Sequence, residues 1–179
     1  MNEKEFKVLF ELYRSKKPIY FRDIVKRTDL AYGTVQGIIN KNKSLFNICI
    51  EGKNKYFSLK DNIDNKYLFY QLEMERTRTF IIKNPKLRPF VEKISQLNIP
   101  ALVFGSFAKG TANKDSDLDL LIISSEKDIP DQLCPYKIHK IFIDQKNIGN
   151  LKKEALYEEI MKDHVIISGF DLFMTEVFR

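Results

Sequence analysis

The hydrophobic period changes partway through the first third of the chain. Phe6, Leu9, Phe10 and Tyr13 recur at helical spacing and predict a helix over Glu3 to Ser15, ended by Lys16-Lys17-Pro18. Ile19-Tyr20 offers a brief strand. A second short helix, Phe21 to Arg27, turns Ile24 and Val25 inward. Thr28-Asp29-Leu30 connects it to a third, Ala31 to Asn42, with Val35, Ile38 and Ile39 on the buried side. From Phe46 the period falls to two. Phe46 to Ile50 alternates as a strand, Glu51 to Lys55 turns, and Tyr56 to Leu59 returns to close a hairpin. A long helical pattern then covers Asn65 to Lys83, Pro85 punctuates it, and Leu87 to Leu97 forms another helix with Phe90, Val91 and Ile94 inward.

Beyond residue 100 the apolar residues come in short unbroken runs. Ala101 to Phe104 reads as a buried strand, followed at once by Gly105-Ser106 and about one or two helical turns that Gly110 closes. A polar turn, Thr111 to Ser116, leads into the strand-like Asp117-Leu118-Asp119-Leu120-Leu121-Ile122. Glu126 to Pro135 is a polar loop, and Tyr136 to Asp144 a further strand. A helix runs from Ile148 through Leu151, Ala155, Leu156, Ile160 and Met161. A short strand over His164 to Gly169 and a closing segment from Phe170 to Phe173, with Val177-Phe178, end the pattern. This string has α/β character.

Composition narrows the class. The 179 residues are 44% hydrophobic, enough for real cores. No apolar run approaches a membrane span, and MNEKEFKVLF is too charged for a signal peptide, so a cytoplasmic location is expected. Cys49 and Cys134 lack metal-like spacing and read as free thiols. The net charge of +6 is unevenly shared: residues 1–64 hold 13 Lys and Arg against 8 Asp and Glu, and the rest hold 17 against 16. The N-terminal excess points toward an anionic partner.

Candidate chemistry concentrates at Asp117 and Asp119. In a strand, residues i and i+2 share a face, so two carboxylates stand side by side. They repel each other unless a cation lies between them. Mg²⁺ takes hard oxygen ligands, often one or two carboxylates plus substrate phosphates. The adjacent Gly105-Ser106 turn lets backbone approach closely and offers a hydroxyl and N–H groups to a phosphate. Together these features describe phosphoryl or nucleotidyl transfer.

Gly105-Ser106, Gly110 and Ser116-Asp117-x-Asp119 resemble the signature of the DNA polymerase beta nucleotidyltransferase superfamily, above all its small, minimal domains. The resemblance covers roughly Pro100 onward. It implies a mixed sheet, Mg²⁺ held by Asp117 and Asp119, and a nucleoside triphosphate, ATP foremost, at Gly105, Ser106, Gly110 and Ser116. Similar domains act as antitoxins that adenylylate a partner toxin, so a protein acceptor is among the implied partners. Active members carry a third carboxylate on the following strand. The comparable place here is His139, open to reading as a metal ligand, a weak base or a surface imidazole. Asp144 lies about 16 Å further along. Lys109 could touch a phosphate or simply be solvated. His164 is expected to pack or cap beside the last strand.

Three helices followed by a β-hairpin resemble a winged helix-turn-helix domain, over about Met1 to Asp61. That resemblance implies DNA binding, with the third helix in the major groove presenting Tyr32, Thr34, Gln36, Asn40 and Lys41, and Lys53 and Lys55 at the wing tip. Gly33 and Gly37 cost that helix about 1 kcal/mol each relative to alanine, which hints at a packing or contact role. The whole reads as α+β: a winged helix over 1–63, a helical linker over 64–98 and a nucleotidyltransferase-like α/β domain over 99–179. A winged helix reading a palindromic site implies a homodimer.

Overall fold

The computed structural model describes residues 1–15, 17–124, 129–151 and 155–178. Lys16, part of the expected helix stop, and Glu126 to Asp128 of the expected polar loop lie outside the described residues. The chain divides into two compact units, Met1–Leu72 and Glu73–Arg179.

In the first unit, helix α1 (Glu3–Arg14) opens on Asn2, whose side chain accepts from the Glu5 N–H at 2.9 Å. Strand β1 (Ile19–Tyr20) passes directly into α2 (Phe21–Thr28), which stops where Asp29 turns left-handed at φ 53°. Helix α3 (Tyr32–Lys41) is flanked by Ala31 and Asn42. Strands β2 (Phe46–Glu51) and β3 (Asn54–Leu59) close a hairpin over Gly52, at φ 62°. All pairing is antiparallel, in the order β1-β3-β2. Val8, Leu9, Ile24, Val35, Ile39 and Phe57 are buried together, and each contributes about 1.5–3 kcal/mol. Buried Asn65, in α4 (Ile63–Lys83), donates to the Leu45 and Lys60 carbonyls at 2.9 and 2.6 Å and ties the ends of the hairpin.

The alternation over Phe46 to Ile50 marks a strand, yet only Phe46 is buried. Ile48 and Ile50 are 41% and 64% exposed. The period tells that a pleat exists but not what packs over each of its faces.

The second unit contains the C-terminal part of α4, then α5 (Arg88–Gln96), β4 (Ala101–Phe104), α6 (Gly105–Lys109), β5 (Leu118–Ile123) and β6 (Ile138–Ile143). After these come α7 (Ile148–Leu151), α8 (Ala155–Lys162), β7 (Val165–Ser168) and α9 (Phe170–Leu172), which runs into a π-helical turn over Phe173–Val177. The sheet order is β6-β5-β4-β7. β5 and β6 are parallel while β4 runs antiparallel to both β5 and β7, so the sheet is mixed.

Both faces of this sheet are covered. Ala101, Val103, Leu118, Leu120 and Ile122 pack with Phe90, Val91 and Ile94 of α5. Leu102, Phe104, Leu121, Ile123 and Ile166 pack with Ile148, Leu151, Ile160, Phe173 and Val177 on the other face. Burial on two sides explains why these strands read as unbroken apolar runs. Thr77 donates to the Ile166 carbonyl at 2.5 Å and Ser95 to the Ile167 carbonyl at 3.0 Å. His164 is buried: its Nδ1 donates to the Ile160 carbonyl at 2.8 Å, its Nε2 lies 3.2 Å from Glu73 Oε1, and Phe178 stacks on the ring. Its place is therefore in the packing beside β7. Gly169, at φ 75°, takes a position where a Cβ would lie 2.7 Å from the Pro100 Cα.

Candidate functional site

The site grows from the β4–α6 turn and the start of β5. Cα pairing sets Phe104 opposite Asp119, which brings the next residue, Gly105, beside the Asp119 side chain. Gly105 has φ 67°, and a Cβ built on it would stand 2.1 Å from Asp119 Oδ2. Glycine is thus required twice, for its backbone conformation and for the space its neighbour fills. Phe107, buried beneath α6, anchors the turn, and its ring meets that of Tyr136 edge-on at 4.8 Å.

Gly110, at φ 74°, ends α6, and its N–H donates to the Phe107 carbonyl at 3.2 Å. The Ser106 carbonyl accepts from the N–H groups of Thr111 and Ala112 at 3.0 and 3.2 Å. Ser116 closes the next turn: its Oγ accepts from the Asn113 N–H at 2.9 Å and its own N–H donates to the Asn113 carbonyl. Ser116 therefore shapes the approach to Asp117.

Asp119 shares the β5 face of buried Leu121 and Ile123, whereas Asp117 stands just ahead of the strand, which begins at Leu118, one residue later than the pattern predicts. The parallel pairing of β5 and β6 sets Asp119 opposite His139. His139 Nδ1 lies 3.0 Å from Asp119 Oδ1, and Lys137 Nζ donates to Asp117 Oδ2 at 3.3 Å. Lys137 was not among the residues the sequence pattern singled out. Its signal was its place: two residues before His139, it lies just ahead of β6, which begins at Ile138. Asp144 is outside the group, at the far end of β6, where its carboxylate accepts from the Lys146 N–H at 2.9 Å. Lys109 Nζ pairs with Glu159 Oε1 at 3.0 Å on the surface.

Among the described residues no group of three or more His, Cys, Asp or Glu side chains is gathered ready to hold a metal ion. Asp117 is half-exposed and Asp119 27% exposed, and carboxylates are hard oxygen donors.

The other candidate surface lies on the first unit. Tyr32, Gln36 and Asn40 are exposed on α3, Thr34 partly so, and Lys53 and Lys55 are exposed at the hairpin. Tyr32 leans on Phe21, with ring centroids 4.7 Å apart. Lys41 Nζ pairs with Glu5 Oε1 at 3.2 Å, and Asn42 Nδ2 donates to the same oxygen at 2.8 Å. The Asn42 hydrogen bond above all, with Lys41 beside it, holds the Glu5 carboxyl below its ordinary value in spite of burial. Gly33 and Gly37 have no atom within 4 Å of where a Cβ would stand, so no packing within the chain requires them. Cys49 and Cys134 are free thiols, and burial pushes the Cys134 thiol up.

Residues 85–173 match the family model of the nucleotidyltransferase domain, which spans the β4–α6 turn, the acidic strand and β6. The match supports the polymerase-beta-like superfamily for this part of the chain. No curated protein and no solved structure gives a significant match. No helix among the described residues is long and apolar enough to cross a membrane.

Proposed function

We propose that this chain is a Mg²⁺-dependent nucleotidyltransferase with a DNA-binding winged helix in its N-terminal unit. One observation carries the catalytic half of this reading. The Asp119 carboxylate occupies the space that a side chain at residue 105 would need, so the Gly-Ser turn and the acidic strand fit only each other. In this reading Asp117 and Asp119 hold the ion. Gly105, Ser106, Gly110 and Ser116 frame the phosphates of a nucleoside triphosphate, ATP foremost. Bound there, Mg²⁺ supplies charge neutralisation and polarises the phosphorus under attack. The nucleotidyl group passes to an acceptor, for which a protein partner is the candidate the resemblance implies.

The order helix-helix-helix-hairpin and the basic balance of residues 1–64 support DNA as the partner of the first unit. Tyr32, Thr34, Gln36 and Asn40 offer base-edge and phosphate donors on α3. Lys41, paired to Glu5 yet 70% exposed, still offers a charge toward the phosphates. Lys53 and Lys55 suit backbone contacts beside it. A two-fold dimer belongs to this reading, because it would match a palindromic site.

A second reading has one specific observation in its favour. His139, not a carboxylate, faces Asp119, and Asp144 is committed to a local cap. In that reading the domain binds nucleotide without turnover and the protein is a DNA-binding regulator. Incubating the full chain and a soluble extract with ATP labelled at the α-phosphate separates the two. The first reading predicts Mg²⁺-dependent covalent label on an acceptor, lost in the Asp117→Asn, Asp119→Asn double variant. Reversible nucleotide binding with no covalent label would instead establish the second.

A further inference from the structure

We propose that the turn between α4 and α5 is a further nucleic-acid contact, which holds the phosphate backbone of a duplex with Lys83, Lys86 and Arg88. This surface lies on the second unit, whereas the winged-helix reading places DNA on the first. Charge argues first. From Arg76 to Val91 the chain holds five cations and no acid. Residues 65–179 hold 17 Lys and Arg against 16 Asp and Glu, and 12 against 16 without those five. The positive charge here is therefore gathered in one stretch rather than spread. Two of the five are committed within the fold: Arg76 Nη2 lies 3.4 Å from Asp163 Oδ1, and Arg78 Nη1 donates to Glu75 Oε1 at 2.8 Å. Lys83, Lys86 and Arg88 are exposed, and among the described residues none of them forms an ion pair. The first acid beyond them is Glu92, one turn further along α5.

The turn holds these charges in place. Lys83 ends α4, Pro85–Leu87 forms a 3-10 turn, and Arg88 opens α5. Leu87 is fully buried. The N–H and Nδ2 of Asn84 both donate to the Phe80 carbonyl at 2.9 Å, and the N–H groups of Leu87 and Arg88 donate to the carbonyls of Asn84 and Pro85. Pro85 and Pro89 fix φ on either side. Three like charges within six residues repel one another, and a line of anions across them removes that repulsion.

Composition selects the anion. Surfaces that meet proteins are depleted in lysine, whereas those that meet nucleic acid are much more positive. A stretch with no acid fits a partner of one sign. Single strands are held largely by stacking on aromatic rings. Phe80 and Phe90, the aromatic residues of this stretch, are both buried. Cations without a stacking ring suit a duplex, whose bases face inward and whose phosphates line the outside.

Fluorescence anisotropy of a short duplex of arbitrary sequence tests this on the full chain, in a Lys53→Ala, Lys55→Ala background that removes the hairpin's share. Each cation that neutralises a duplex phosphate adds about 0.9 to the steepness of log K against log salt. The Lys83→Gln, Lys86→Gln, Arg88→Gln triple variant should therefore be shallower by about 2–3. Over a rise from about 50 to 200 mM salt, the parent should lose about 40-fold more affinity than the variant. Exchanging charge for charge, with Lys83→Arg, Lys86→Arg and Arg88→Lys, should keep the slope. Neutralising exposed Lys114 and Lys146, elsewhere in the unit, should keep it too. A slope unchanged in the triple variant, or lowered as much by the Lys114→Gln, Lys146→Gln pair, overturns the proposal. Poly-glutamate that binds the parent as tightly as the duplex does, and fails to bind the triple variant, would assign the turn to an acidic protein and overturn it as well. No duplex binding by the wild-type chain at low salt would overturn it together with the winged-helix reading.

Discussion

Single side chains carry the two most exposed claims. Gly105→Ala must relieve a clash in which its Cβ would stand 2.1 Å from Asp119 Oδ2, and must hold alanine at φ 67°. The left-handed conformation alone costs about 1–2 kcal/mol, and displacement of the carboxylate adds to it. A melting temperature lowered by several degrees, with nucleotide binding lost, is expected. A variant as stable as wild type that still binds nucleotide would show that the turn and strand are not so closely fitted. Glu5 makes a pH-dependent claim. Its folded-state pKa lies below the ordinary value of 4.5, so ionised Glu5 stabilises the fold above that value, and the contribution is lost as pH falls through the folded value. Glu5→Gln should therefore destabilise by about 1–2 kcal/mol at pH 7, with a share from Asn42 larger than that from exposed Lys41. The gap from wild type should narrow in urea melts below pH 4. A gap constant from pH 7 to pH 3 would contradict the charged hydrogen bond.

At the level of elements, α3 shows a conflict between stability and its surface. Gly33 and Gly37 cost the helix stability, yet nothing in the chain packs where their Cβ atoms would be. Alanine at each should stabilise the protein by up to about 1 kcal/mol. If α3 enters a groove, the same changes should weaken DNA binding, because added methyl groups keep the backbone from close approach. Stabilisation with undiminished affinity would remove α3 from the interface. The elements also show what sequence can carry. β4 and β5 were legible as strands because both their faces are buried, and Asp119 stood out inside an apolar run. The exposure of Ile48 and Ile50 was not legible, since what packs over a strand's face is a tertiary fact. His139 was visible as a strand residue and Lys137 as its near neighbour, but their partners were fixed only by the parallel register of β6 on β5. The Glu73–His164 contact joins residues 91 apart and left no local signal.

Across the whole molecule, the basic excess and the acidic pair fall in different parts of the chain. The basic excess lies in residues 1–64, and the acidic pair lies in the second unit. Lys53→Ala with Lys55→Ala should lower DNA affinity and flatten the dependence of log K on log salt by about 1 per lysine that neutralises a phosphate. Unchanged low-salt binding would sink the hairpin contact. The central claim is that Gly105-Ser106 and Asp117-x-Asp119 form one metal-dependent nucleotide site. The most direct test is a thermal-shift titration of the full chain with ATP, GTP, CTP and UTP, with and without divalent ion, beside the Asp117→Asn, Asp119→Asn double variant. A ligand at 100 times its Kd adds about 2.7 kcal/mol to native stability. The account predicts a clear upward shift with at least one nucleotide, ATP foremost, that needs the ion and disappears in the double variant. No shift with any nucleotide, or one that the double variant keeps in full, would contradict it.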